Sequence, residues 1–169
     1  MTRILLVYDS RAGLVQQLAD AVGEGVRSIE GAALRTLRIG EADPAELLRC
    51  DALILGSPNW TGMTGELKVW LDQSGDLWES GELAGKPGGA FAAGWSPHGG
   101  LEATLQQLMH LLVGHGMIFV GLPWSERMRR SGSYYGATAA GAVTDDDREQ
   151  ARALGRRVAR LAVRLEGAS

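Results

Sequence analysis

The strongest constraint on this chain is a repeated alternation. Short aliphatic runs are followed by stretches whose apolar residues recur every three or four positions, and this happens five times along 169 residues. "RILLVY" (3–8) reads as a strand buried on both faces. Val15, Leu18, Ala19, Val22, Val26 and Ile29 then stripe one face of a helix. "ALRTLRI" (33–39) alternates like a strand with one wetter face, at a sheet edge. A short helix is expected at 43–47, capped by Asp43 with Pro44 in its first turn, ahead of the third strand, "DALIL" (51–55). A helix follows over 65–78, then a small-residue strand near 88–94. Leu101, Leu105, Leu108, Met109 and Leu112 mark the next helix, and "MIFVG" (117–121) the fifth strand. A structureless loop of about twenty residues is expected over 121–142. The acidic "TDDD" at 144–147 opens the last helix.

Strands alternating with helices imply an α/β fold, with a parallel sheet covered on both faces. Five strands of these lengths suit the order 2-1-3-4-5, and residues 1–169 read as a single domain. In such sheets ligands sit beyond the C-terminal strand ends, where strands 1 and 3 diverge.

Composition narrows the function classes. The net charge of −3 implies no basic field for nucleic acid. Arg152, Arg156, Arg160 and Arg164, at fourfold spacing, read as a solvated helix face. With one cysteine, Cys50, no intrachain disulfide is possible, and its place beside an apolar strand suits core packing. The five apolar residues before Asp9 are too few for a signal core or a membrane span, so a cytoplasmic location without membrane association is expected. No metal site is expected.

Three loops should converge at the switch point: 9–14, 56–65 and 94–100. The first, "SRAGLV", enters a helix, whose free backbone N–H groups and positive dipole end suit one phosphate. It is neither a GxGxxG fingerprint nor a Walker A loop. The other two, "GSPNWTGMTG" and "GWSPHGG", are rich in glycine, and each carries a tryptophan, Trp60 or Trp95. A phosphate-ready loop beside two tryptophans points to a flat aromatic ligand with a phosphate tail. A receiver domain would need an aspartate ending strand 3, where Gly56-Ser57 stand, and a serine nucleophile elbow would need GxSxG.

"SRAGLV", "GSPNWTGMTGELKVWLDQSGDLW", "GHGM" and "YYGATAAG" together resemble the flavodoxin-like FMN proteins. More closely, they resemble the tryptophan-repressor-binding-protein (WrbA) type of NAD(P)H:quinone oxidoreductase. The resemblance covers nearly the whole chain and implies a flavodoxin-like three-layer sandwich. It also implies FMN, with the phosphate held by Ser10, Arg11, Ala12, Gly13, Leu14 and Val15. Pro58, Asn59, Trp60, Thr61 and Gly62 would meet the isoalloxazine ring. Gly94, Trp95, Ser96, Pro97, His98 and Gly99 would cover the ribityl chain and the other ring edge. His115 would act catalytically, reaching the flavin from a neighbouring subunit's side, and Trp78 would line the substrate pocket. Hydride transfer from NAD(P)H to a quinone or similar acceptor, in a homodimer or homotetramer, is the implied activity.

The chain departs from the family pattern at Trp60-Thr61, where an Arg-Phe pair is common, and at Ala12, where a tyrosine linked to nicotinamide binding is usual. The competing expectation is a flavodoxin-type electron carrier or an FMN-binding module without NAD(P)H activity. Carriers of this fold tend to be strongly acidic, whereas this chain is only at −3 and places Arg127, Arg129 and Arg130 in its late loop.

Overall fold

The computed structural model describes residues 1–168. Its sheet is parallel throughout. The strands are β1 (Thr2–Tyr8), β2 (Ala32–Arg38), β3 (Ala52–Pro58), β4 (Pro87–Gly94), β5 (Ile118–Phe119) and β6 (Ala137–Ala140). The order is β2-β1-β3-β4-β5, as the alternation implied, with β6 also on β4. β3 occupies one side of β4, so β5 at Pro87–Gly88 and β6 at Phe91–Gly94 share the other. They are two pieces of one strand line.

The helices are α1 (Leu14–Arg27), α2 (Gly65–Asp72), α3 (Gly75–Ser80), α4 (Leu101–Gly114) and α5 (Asp145–Glu166). Strand residues alternate between two cores. Ile4, Leu6, Ile54 and Phe91 face α1 and α5, while Leu5, Val7, Leu53 and Leu55 face α2 and α4. Fully buried runs in β1 and β3 explain why their sequences carry no polar alternation. Burying one such Leu or Ile is worth about 1.5–3 kcal/mol, which makes these central strands the rigid base for the loops at their ends.

α1 and α5 touch through backbone at Gly25 and Gly155. A Cβ built on Gly25 would lie 2.1 Å from the Arg152 carbonyl oxygen, and one on Gly155 would lie 2.1 Å from that of Val22. α5 starts with a capping box: the Thr144 hydroxyl accepts from the Asp147 N–H, and the Asp147 carboxylate accepts from the Thr144 N–H.

Three expectations need correction. The helix expected over 65–78 is two helices, broken where the buried Ser74 hydroxyl donates to the Leu71 carbonyl and α3 restarts at Gly75. The short helix after Asp43 is a 3₁₀ turn, Pro44–Arg49, with the Asp43 carboxylate capping the Ala45 N–H. The expected loop at 121–142 contains a 3₁₀ turn at Glu126–Arg129 and the strand β6. "ATAA" lacks the bulky β-branched residues that advertise a strand. It is a strand because its neighbour β4 and the helix α5 complete its surroundings.

Candidate functional site

The loops after β1, β3 and β4 meet at the C-terminal edge of the sheet. Arg11, Ala12, Leu14, Val15, Pro58, Asn59, Trp60, Gly94 and Trp95 line one cleft there. Its mouth is flanked by Trp60 and Trp95, 62% and 78% exposed, which the packing of this chain alone does not explain.

The first wall is the turn into α1. Gly13 adopts a left-handed conformation, φ 82°, and precedes the helix without any side-chain cap. The first turn of α1 carries no acidic residue. The initial N–H groups of a helix lack intrahelical partners, so this end attracts an anion. Ser10 is buried, and its hydroxyl has no partner among the described residues; the same is true of one Asp9 carboxylate oxygen. A buried hydroxyl left unmatched is costly unless a ligand completes it. The hydroxyl can donate to an anion, while the carboxylate oxygen calls for a donor such as a ligand hydroxyl. Arg38, at the end of β2, donates to the Ser10 carbonyl, and Arg11 pairs with Glu66 of α2 at 2.7 Å.

Asn59 joins the other two walls. Its amide nitrogen donates to the Gly99 carbonyl, and its amide oxygen accepts from the Gly62 N–H and the Thr104 hydroxyl, both at 3.1 Å. The loop tip needs unusual backbone: Thr61 has φ 54° and Gly62 φ 126°. A left-handed threonine persists only where its surroundings over-determine it. Here the Gln107 carboxamide oxygen takes the Met63 N–H at 2.8 Å, and the Ser57 hydroxyl takes the Thr64 N–H at 3.0 Å. The Thr61 N–H donates to nothing among the described residues. Ser96 turns the third loop: its carbonyl accepts from Gly99 N–H and its hydroxyl from His98 N–H. Pro97, His98 and Gly99 are exposed beside it.

Thus Ser10–Val15, Pro58–Gly62 and Gly94–Gly99 are brought together. His115 and Trp78 are not. α4 runs back along the sheet for about 20 Å at 1.5 Å per residue, so His115, just past its end, lies at the opposite edge. There the Trp78 indole donates to the Gly114 carbonyl at 2.7 Å, and both residues line a second hollow with His110 and Asp72. Burial lowers the His115 pKa below its ordinary 6.5, and its Nδ1 has no partner among the described residues. Sequence reasoning missed Thr104, Gln107, Arg38 and Glu66, which shape the loops. The available signal was the polar Thr104 beside the Leu101/Leu105/Leu108 stripe; it is fully buried.

A further hollow of about 300 Å³ lies under β2, at residues of β1 and the 44–49 turn. Its arginines are paired internally, Arg3 to Asp51 and Arg35 and Arg49 to Glu46. Burial pushes the Cys50 thiol there up to about 11, which removes thiolate reactivity near neutrality. Among the described residues no cluster of His, Cys, Asp or Glu could hold a metal, and no helix is long and apolar enough to cross a membrane.

Fold and cleft together define an α/β protein of the flavodoxin-like class, with its ligand loops gathered at the switch point of a 2-1-3-4-5 sheet. Residues 41–126 match the family model described as NADPH-dependent FMN reductase, and the chain belongs to that family. It is 38% identical to an NAD(P)H dehydrogenase (quinone) of Archaeoglobus fulgidus, with 98% of this chain and all of the relative aligned. It is 37% identical to another of that name from Gluconacetobacter diazotrophicus, over 98% and 99% of the two chains. Among solved structures, a flavodoxin, WrbA-like protein from Agrobacterium tumefaciens superposes with TM-score 0.75 at 28% identity, covering 97% and 99%.

Proposed function

We propose that this chain binds FMN in the three-loop cleft and uses it to pass electrons from NAD(P)H to a quinone or a similar small acceptor. The full-length matches to NAD(P)H dehydrogenases (quinone) support the oxidoreductase class. The observation that carries the cofactor reading is the partnerless, buried Ser10 hydroxyl beside an uncapped, acid-free helix start that opens onto a cleft lined by two exposed tryptophans. Residues 1–169 would form one FMN-binding domain.

The residues present fit the group. Ser10, Arg11 and the backbone of Ala12, Gly13, Leu14 and Val15 would receive the phosphate. Pro58, Asn59, Trp60, Thr61 and Gly62 would take one side of the isoalloxazine. Gly94, Trp95, Ser96, Pro97, His98 and Gly99 would take the other. Bound there, the flavin would supply reversible two-electron hydride chemistry. The chain's own contribution is orientation and exclusion of water. Asn59 locks two loops to each other, and the Thr61 N–H offers a fixed donor to a developing negative charge. His115, whose burial favours the neutral imidazole, and Trp78 would serve the flavin of a neighbouring subunit in a homodimer or homotetramer. The exposure of Trp78 itself, and of Val113 two residues before His115, supports a subunit contact at that edge.

The test starts with the absorbance spectrum of the purified protein and chemical identification of its flavin. Stopped-flow mixing with NADH and NADPH, then with benzoquinone, follows. Bleaching of the flavin band by nicotinamide and its recovery with quinone is the expected result. A flavin that stays oxidised under excess of both nucleotides marks an electron carrier. A colourless protein with no affinity for FMN refutes the reading altogether.

A further inference from the structure

The segment between β5 and β6 is held firmly while its largest side chains are left outside. The Ser131 hydroxyl donates to the buried Asp147 carboxylate. The buried Gln150 amide donates to the Ser131 carbonyl and the Ser125 hydroxyl, at 3.2 and 3.4 Å. Arg127 and Arg130 both clasp Asp146, at 2.6 and 2.9 Å. Leu122 N–H donates to the Tyr134 carbonyl. Yet Trp124 and Tyr134 stand 58% and 56% exposed, and neither side chain has a hydrogen-bond partner among the described residues. The stapling makes no use of the two rings, so their exposure needs another reason.

Two adjoining hollows give one. The first, about 220 Å³, lies between Trp124 and Tyr134, with Met128 and Arg129 in its wall. The second, about 300 Å³, shares Met128 and Arg129 and runs to Pro97 and Leu101, beside the third loop of the cleft. The second is at the lower end of the roughly 300–1,000 Å³ typical of small-molecule sites, and the first, below it, extends the same trough. Their carboxylates are already engaged: Glu102 accepts from the Ser133 hydroxyl at 2.6 Å, and Asp147 from Ser131 and the Thr144 N–H. Arg129 is the available cation. Its pairing with Glu126, at 3.2 Å, joins two side chains that are each about 70% exposed, and such a pair exchanges readily.

We propose that this trough is the subsite for the ADP-ribose half of NAD(P)H. The purine stacks on Trp124 and Tyr134, Arg129 meets the diphosphate, and the nicotinamide end runs past Pro97 into the cleft. The proposal rests on the NAD(P)H reading above. A trough with a cation in its wall and aromatic faces at its far end matches a nucleotide's order of groups; an apolar subunit contact would not place Arg129 there. Stacking and cation–π contacts are sequence-independent ways of holding a base, which suits two rings offered without any hydrogen-bonding frame.

The experiment compares kcat/KM for NADH with that for reduced nicotinamide mononucleotide, which lacks the adenylyl half, in wild type, Trp124→Ala, Tyr134→Ala and Arg129→Ala. All three positions are exposed, so folding is not at stake. The NADH to mononucleotide ratio is expected to fall about ten-fold in Trp124→Ala and Tyr134→Ala, mainly through KM for NADH, whereas Arg129→Ala should raise KM for both donors, because the mononucleotide keeps one phosphate. A ratio unchanged in both ring variants overturns the proposal. Should the wild type oxidise neither donor, the functional reading fails, and calorimetric titration with ADP-ribose judges the trough by itself. Binding that weakens about ten-fold in Trp124→Ala supports the site, and absence of binding to wild type overturns it.

Discussion

Gly155→Ala should be among the most damaging single-methyl changes in this protein, although alanine is the better helix former. Inside a helix, replacing glycine by alanine gains about 1 kcal/mol in propensity. At Gly155 the new Cβ would stand 2.1 Å from the Val22 carbonyl oxygen and 3.0 Å from the Val26 nitrogen. Carbon and oxygen meet comfortably at roughly 3.3 Å, so α1 and α5 must part locally by about 1 Å. Both obstacles are backbone, so no side-chain rotation relieves them. Leu154, Val158, Val22 and Val26 are all fully buried at this crossing and lose contact together. Overpacking costs about 1–3 kcal/mol, and a backbone collision belongs at or beyond the upper end. Subtracting the propensity gain leaves about 2 kcal/mol of net destabilisation, a fall of about 4–8 °C in Tm for a chain of this size. Gly25→Ala meets the Arg152 carbonyl at the same 2.1 Å and should behave alike, with the double variant costing less than the sum. Gly23→Ala, on the same helix, is the control. Its Cβ would touch only the Leu34 and Arg27 side chains, at 3.0 and 3.3 Å, which can move. Thermal melts at saturating FMN, followed by circular dichroism, read the outcome. A Gly155→Ala melt equal to or above wild type would refute the reasoning, since propensity would then outweigh contact.

Ser10→Ala should leave the flavin-free protein as stable as before or slightly more so, because it deletes an unmatched buried hydroxyl. The same change should weaken FMN by about 1.5–3 kcal/mol, measured by fluorescence quenching, since it removes a donor to a charged group. Asn59→Ala breaks three hydrogen bonds, one to the third loop, one within the second loop and one to Thr104 of α4, and should raise the FMN dissociation rate by more than ten-fold in stopped-flow release, about 1.4 kcal/mol or more. His115 has a folded pKa below its unfolded value of 6.5, so its neutral form favours folding. That contribution is complete above pH 6.5 and is lost as pH falls through 6.5 toward the folded value. A His115→Gln protein should therefore show a flatter Tm-against-pH curve on the acid side.

The sheet order and the three convergent loops were legible because they depend on alternation and on where glycines interrupt it. Fully buried runs such as "RILLVY" leave little freedom of interpretation. β6 was illegible because alanines become a strand only in the company of β4 and α5. The break between α2 and α3 hid in Ser74, whose hydroxyl bonds locally and interrupts the helix. Periodicity placed Trp70 in the core and said nothing of Trp78, which an identical residue type leaves 58% exposed. Asn59 could be named from its loop, but not its role as a joint, because its partners Gly99 and Thr104 lie far along the chain. Resemblance has His115 reach the flavin from a neighbouring subunit and Trp78 line the substrate pocket; in this subunit the length of α4 and the Trp78–Gly114 hydrogen bond set both at the other edge.

The split edge strand bears on how such a protein diversifies. Phe119 stands opposite Gly88 and Ala137 opposite Phe91, so residues 120–136 leave and rejoin one strand line across about 10 Å, at 3.3 Å per residue. Both anchor points belong to β4 and do not depend on the length of what lies between. The entropy of closing a loop grows only logarithmically with its length, about 0.6 kcal/mol for each doubling. Segments of other lengths could therefore be exchanged here while the sheet register and the opposite edge, with His115, stay as they are. This is the natural port for grafting new recognition onto the scaffold.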